Sequence, residues 1–184
     1  MFTPRKTAAA LLCLALGATA SYAANPDVGG APMFTDKNII ENAVNSADHT
    51  TLVAAVKAAG LVDALMSDGP FTVFAPVNDA FAALPAGTVE TLLQPENKDQ
   101  LTKILTAHVV AGDISAQDIK AQAAGSSDGF VHLETLSGDA LSAQVRGNNV
   151  FVFDENGNAA KITIADVDQS NGVIHVVNKV LLPK

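Results

Sequence analysis

From Asp36 onward the chain sets apolar residues at three- and four-residue steps: Ile39, Ile40, Ala43, Val44 and Ala47. That spacing predicts a helix with one buried face. Leu52, Val53, Val56 and Ala59 repeat it, with Asp48 or Thr50 as the cap and Gly60 as the stop. Leu61 to Met66 reads as a further helical turn. Phe71 to Ala75 is β-branched and aromatic, which predicts a strand, and Pro76 lacks the donor to continue it. Asn78 is placed to cap a short helix over Asp79 to Leu84, which Pro85 breaks. Val89, Leu92 and Leu93 suggest another, and Gln100 to Ala107 a longer one. Ser115 caps the last helix. Asp118 stands three residues on, but Asp reaches less far than Glu, so a plain cap is expected.

After the loop Gly125 to Gly129 the period changes to two. Phe130–Leu136, Leu141–Val145, Val150–Phe153, Lys161–Val167 and Val173–Leu182 alternate as strands, separated by the turn compositions SGD, RGNN, DENGN and DQSNG. Helices come first with one strand among them, and hairpin-connected strands come last. That order predicts an α+β fold and not a βαβ alternation.

The first residues break this pattern. Arg5 and Lys6 precede an apolar run from Ala8 to Ala18, and Ser21-Tyr22-Ala23 follows. A basic start, a short apolar stretch and a small-x-small site predict a signal peptide over residues 1–23. The run is too short to span a bilayer, so no stable membrane span is expected after cleavage. Residues 24–36, rich in Gly, Pro and small side chains, read as a flexible leader. The domain proper then covers 37–184. Cleavage would remove Cys13, the only cysteine, so stability rests on a packed core without disulfides. It would also remove Arg5 and Lys6 but no acid, taking the net charge from −8 to −10. So acidic a chain is poorly suited to nucleic acid.

Candidate chemistry is sparse. His49, His108, His132 and His175 are too dispersed for a zinc motif. His175 lies among aliphatic residues and His108 ends an apolar helix, which predicts hydrogen-bonded core histidines. His49 and His132 are expected to be exposed. No G-x-S-x-G elbow, GxGxxG or GxxxxGK[ST] pattern occurs. Asp154, Asn156 and Asn158 alternate like calcium ligands, but Gly157 is misplaced and no Glu closes the loop. With no Trp and one Tyr, a carbohydrate-stacking platform is not expected.

Two stretches are more specific. Phe71-Thr-Val-Phe-Ala-Pro-Val-Asn-Asp-Ala-Phe81 resembles the first box of the fasciclin (FAS1) family, TxFAPTDxAF. Asn171-Gly-Val-Ile-His-Val-Val-Asn-Lys-Val-Leu-Leu-Pro183 resembles its second box. Between them, Ile104-Leu-Thr-Ala-His-Val-Val110 is similar to the helix leading to the family's Tyr-His pair, with Ala107 where Tyr often stands. Val77 replaces the usual Thr of the first box. The resemblance implies a FAS1-type fold, a β-wedge packed with several helices. It implies structural roles for Phe74, Ala75, Pro76, Asn78, Phe81, His108, Gly172, Ile174 and His175. It also implies a secreted or periplasmic, non-enzymatic adhesion domain without a cofactor. The partner would be a protein, matrix component or cell surface, met near His108, Val109, Val110, Asp113 and Ile114. An exported small-ligand binder is the alternative.

Overall fold

The computed structural model describes residues 25–184. The expected signal peptide and Cys13 lie outside the described residues. The predicted leader is a correction. Asp27–Val28 (β1) and Ala31–Pro32 (β2) form a hairpin. It buries Val28, Ala31 and Met33, and the Gly29 carbonyl accepts from the Ala47 amide at 3.1 Å. Gly29 and Gly30 suggested flexibility, but the Gly pair makes the turn of a docked element. Both have positive φ, and a Cβ on Gly29 would lie 2.5 Å from Ser46 Oγ.

Helices Ile39–Ala43 (α1), Thr50–Ala59 (α2) and Val62–Leu65 (α3) follow, then the strand Phe71–Pro76 (β3). Helix α1 is shorter than its apolar pattern: Val44 and Ala47 lie beyond its end and are exposed. Gly60 stops α2 in the left-handed region, as expected. Helices Asn78–Ala82 (α4), Thr88–Leu92 (α5) and Lys98–Thr106 (α6) lead to Val109–Ala111 (β4), a short strand that the periodicity did not reveal. Helix Ala116–Gly125 (α7) begins with a full capping box, because Asp118 does reach the Ser115 amide at 3.0 Å. The strands Phe130–Glu134 (β5), Ala140–Arg146 (β6), Asn149–Phe153 (β7), Ala159–Gln169 (β8) and Gly172–Val177 (β9) complete the chain. The last is shorter than predicted: it ends at Val177, although the next amide, that of Asn178, still donates to the Lys161 carbonyl at 3.2 Å.

The main sheet runs β4-β3-β9-β8-β7-β6-β5. All its neighbours are antiparallel except β3 and β9, which run parallel. Helices α1, α2 and α6 cover one face, with Ile39, Leu52, Val56, Leu101 and Leu105 packed on Val73, Ala75 and Ile174. Helix α7 closes the second core, where Ile119 and Ala123 meet Val131, Leu141 and Val152. The two edge strands nearly meet: Val110 of β4 bridges Thr135, just past β5. The sheet is therefore a barrel left open along one seam.

Candidate interaction surface

The two sequence boxes are adjacent strands. Phe71 pairs with Gly172, Phe74 with His175 and Pro76 with Val177. Gly172 is required at this junction. Its φ is 147°, and a Cβ would lie 1.9 Å from the Phe71 carbonyl oxygen. Phe74 and His175 are fully buried, with ring centroids 5.6 Å apart. Ala75, Phe81 and Ile174 are buried on the opposite side, against the helices. Asn171, at the head of the second box, is buried and joins three segments. Its Oδ1 accepts from the Ile39 amide, and its Nδ2 donates to the carbonyls of Leu65 and Ser67.

Asn78 departs from expectation. It does not cap its own helix, whose preceding residue Val77 makes no side-chain cap. Its Oδ1 instead accepts from the Thr51 amide at 3.0 Å and the Thr50 hydroxyl at 3.2 Å, and its Nδ2 donates to the Ala47 carbonyl at 2.8 Å. Neither Asp48 nor Thr50 caps α2, so Asn78 supplies that cap from a distant segment. Asn78→Ala should cost about 1 kcal/mol and speed amide exchange at Thr51. Asp retains the acceptor, so Asn78→Asp should restore most of that protection. Faster exchange at Ala80 or Phe81 alone would point back to a local cap.

Two buried polar side chains of the boxes reach a surface loop. Thr72, fully buried on β3, accepts from the Ile114 amide at 2.9 Å and donates to the Gly112 carbonyl at 2.7 Å. His175 Nε2 donates to the Ile114 carbonyl at 2.8 Å, while Nδ1 accepts from the Asp166 amide at 3.2 Å. Burial lowers the His175 pKa, against the smaller opposing effects of the Ile114 carbonyl and of Asp166, Asp113 and Asp168. The ring is thus a neutral strut with both nitrogens committed. Asp166, in the left-handed region at φ 56°, also accepts from the Ala116 amide at the start of α7.

The other histidines are likewise interior, apart from His132. His108 donates from Nδ1 to the Ile104 carbonyl and accepts at Nε2 from the Leu181 amide. Burial pushes it down to about 4. His49 corrects the expectation of exposure: it is buried beneath the hairpin, with Nδ1 2.9 Å from Ser46 Oγ. Its Nε2 has no partner among the described residues. Asp154 is buried, and its carboxylate already accepts from the amides of Asn156, Asn158 and Leu182 and the side chain of Asn158. Those donors occupy the oxygens that calcium would need.

The expected contact surface therefore needs revision. His108, Val109 and Val110 are buried, because the segment is strand β4 at the core and not a loop. Asp113 is exposed and Ile114 half-buried. Ile114 lines an open groove of about 450 Å³ along the seam, together with Ala111, Gln122 and residues 132–136. Leu136 stands at its end, 48% exposed. Sequence reasoning missed this groove because its two walls come from strands far apart in the chain. Thr72 was legible only as a hydroxyl within an otherwise apolar strand.

The arrangement of boxes, wedge and seam can be compared with known proteins. A Fasciclin domain profile matches residues 47–183. The chain belongs to the fasciclin family. Protein sll1483 of Synechocystis sp. is 54% identical over 145 residues, covering 79% of this chain and 73% of the relative. Immunogenic protein MPB70 of Mycobacterium bovis is 35% identical over 171 residues, 89% of this chain and 79% of the relative. Transforming growth factor-beta-induced protein ig-h3 of Sus scrofa is 39% identical over 132 residues, but these are only 17% of that protein. The solved FAS1 domain pair from the insect cell adhesion molecule Fasciclin I superposes with a TM-score of 0.69 at 19% identity. That match covers 79% of this chain and 51% of the pair, and it shows the FAS1 fold. The hairpin over Val28 and Met33 precedes the part matched by the fasciclin profile.

Proposed function

We propose that this fasciclin domain is an exported, non-enzymatic adhesion or protein-interaction module that meets its partner at the Asp113–Ile114 loop and the adjoining seam. One observation carries the reading: the buried Thr72 hydroxyl and His175 Nε2 both hold half-buried Ile114, next to exposed Asp113. Polar groups so deep in a core are costly unless satisfied, and here a surface segment satisfies them. The signal-like residues 1–23 support export to the periplasm or beyond. Membership of the fasciclin family, whose fold this chain shares with a domain pair of the insect cell adhesion molecule Fasciclin I, is in keeping with the interaction role.

Rival readings fit the geometry less well. A hydrolase would use His108 or His175 as base, but both are buried with both ring nitrogens engaged. A small-ligand binder needs a cleft or cavity of roughly 300 Å³ or more that buries most of its ligand. The grooves of that size, at the seam and beside Asn78 and Phe81, lie wide open to solvent. The enclosed apolar voids under α2 and beside His49 hold only about 30 and 10 Å³.

Photo-cross-linking tests the proposal. A photoreactive residue is placed at Asp113 or, as the control, at exposed Ala54 on α2, in the full chain made by its own cell. Position 113 should give a discrete protein adduct that position 54 does not. No adduct at 113, or the same adducts from both, would refute it.

A further inference from the structure

The seam has a backbone pattern that its side chains do not reveal. The Thr135 amide donates to the Asp139 carbonyl on the β6 side, and the Leu136 amide donates across the seam to the Val109 carbonyl at 2.8 Å. Backbone groups alternate in direction along a strand. Glu134, His132 and Phe130 therefore turn theirs toward the seam, as Leu136 does. The outward amide of Phe130 is taken by the Asp128 carboxylate at 3.0 Å. The other end is held by the bridge from Val110 to Thr135. Between these stops β5 has no ladder partner on this side: it pairs only with β6, and its one bridge to β4 among the described residues is that of Val110 to Thr135. Strand β4 would have covered this stretch, but Gly112, at φ 105°, turns the chain away toward α7.

The gap is also charged in one sense. Glu134 lines it, exposed Asp113 precedes the lining residue Ile114 in the chain, and neither forms an ion pair among the described residues. No Lys or Arg lines the groove. The His132 ring leans the other way, toward Ser142 Oγ at 3.2 Å and Asp128 at 3.4 Å. A second copy, with a net charge of −8, is a poor electrostatic match for these acids.

We infer that the open edge of β5 takes a short extended peptide carrying Lys or Arg at alternate positions, added as an extra strand in line with β4. Main-chain hydrogen bonds to His132 and Glu134 would hold it, the cations would face Glu134 and Asp113, and Leu136 would give an apolar contact. This rests on the reading of the seam as the contact surface and names the chemistry of the partner.

The test uses the purified chain and a capped, fluorescent Lys-Val-Lys-Val-Lys peptide. A Glu-Val-Glu-Val-Glu peptide and the Lys peptide N-methylated at alternate residues, in both frames, are the comparisons. The Lys peptide should bind and slow amide exchange at His132 by about fivefold or more. The Glu peptide should bind about tenfold or more weakly. Only one edge of the peptide faces β5, so the two methylated frames should differ by about tenfold. No binding, equal binding of both frames, or unchanged exchange at His132 under saturating peptide would overturn strand addition. A cross-link at position 113 with no peptide binding would defeat this inference and leave the functional reading standing. Protection at His132 with no cross-link at 113 would do the reverse.

Discussion

Lowering the pH from 7 to 4 is expected to remove about 3 kcal/mol of stability through His108 alone. Burial holds its folded pKa at about 4, against the ordinary 6.5. Below 6.5 the unfolded chain binds a proton that the folded chain refuses. Stability is therefore full above that value and falls as the pH drops toward 4. The refusal has a geometric cause. His108 Nε2 accepts from the Leu181 amide, so a proton there would set donor against donor in a dry site. His49 and His175 are also lowered by burial and act in the same direction. Urea melts at several pH values would measure the slope, and His108→Gln should flatten it. A stability profile that stays level between pH 6.5 and 4.5 would mean that these rings are hydrated.

Phe74→Ala is expected to cost about 3–5 kcal/mol, lowering the melting temperature by about 10–15 °C. The ring is fully buried in the core that also holds Val110, Val177 and Leu181, and it stacks on His175. Its loss leaves a void beside the strut that fixes Ile114. Calorimetry checks the value. A shift of about 3 °C or less would place the ring toward solvent and undo the register of β3 on β9.

Much of this fold was legible because its signals are local. The change of period after Gly129 located the five late strands, and Gly60 marked the end of α2. The boxes were legible as core because Phe74, Ile174 and His175 lie in apolar runs. Local signals misled where a distant group intervened. Asn78 has the chemistry of a cap, but α2 approaches it more closely than the helix it begins. His49 looked exposed in a polar stretch, yet the hairpin folds over it. Val109 and Val110 were expected at the contact surface through the family resemblance, and three residues are too few for a periodicity to show the strand that they form on β3. The seam was invisible because Ala111 and His132 meet only through the closure of the whole sheet.

The central claim is that buried residues of the first and second boxes hold the Gly112–Ile114 loop in its binding form. Thr72→Val tests it most directly, since the substitution keeps the shape of β3 and removes only the hydroxyl bonded to Gly112 and Ile114. The measurement is the yield of the cross-link from position 113 in this variant, alongside its melting curve. We predict a cooperative melt with a yield about threefold lower or less than that. A folded Thr72→Val chain that cross-links from position 113 as well as the parent would contradict the account.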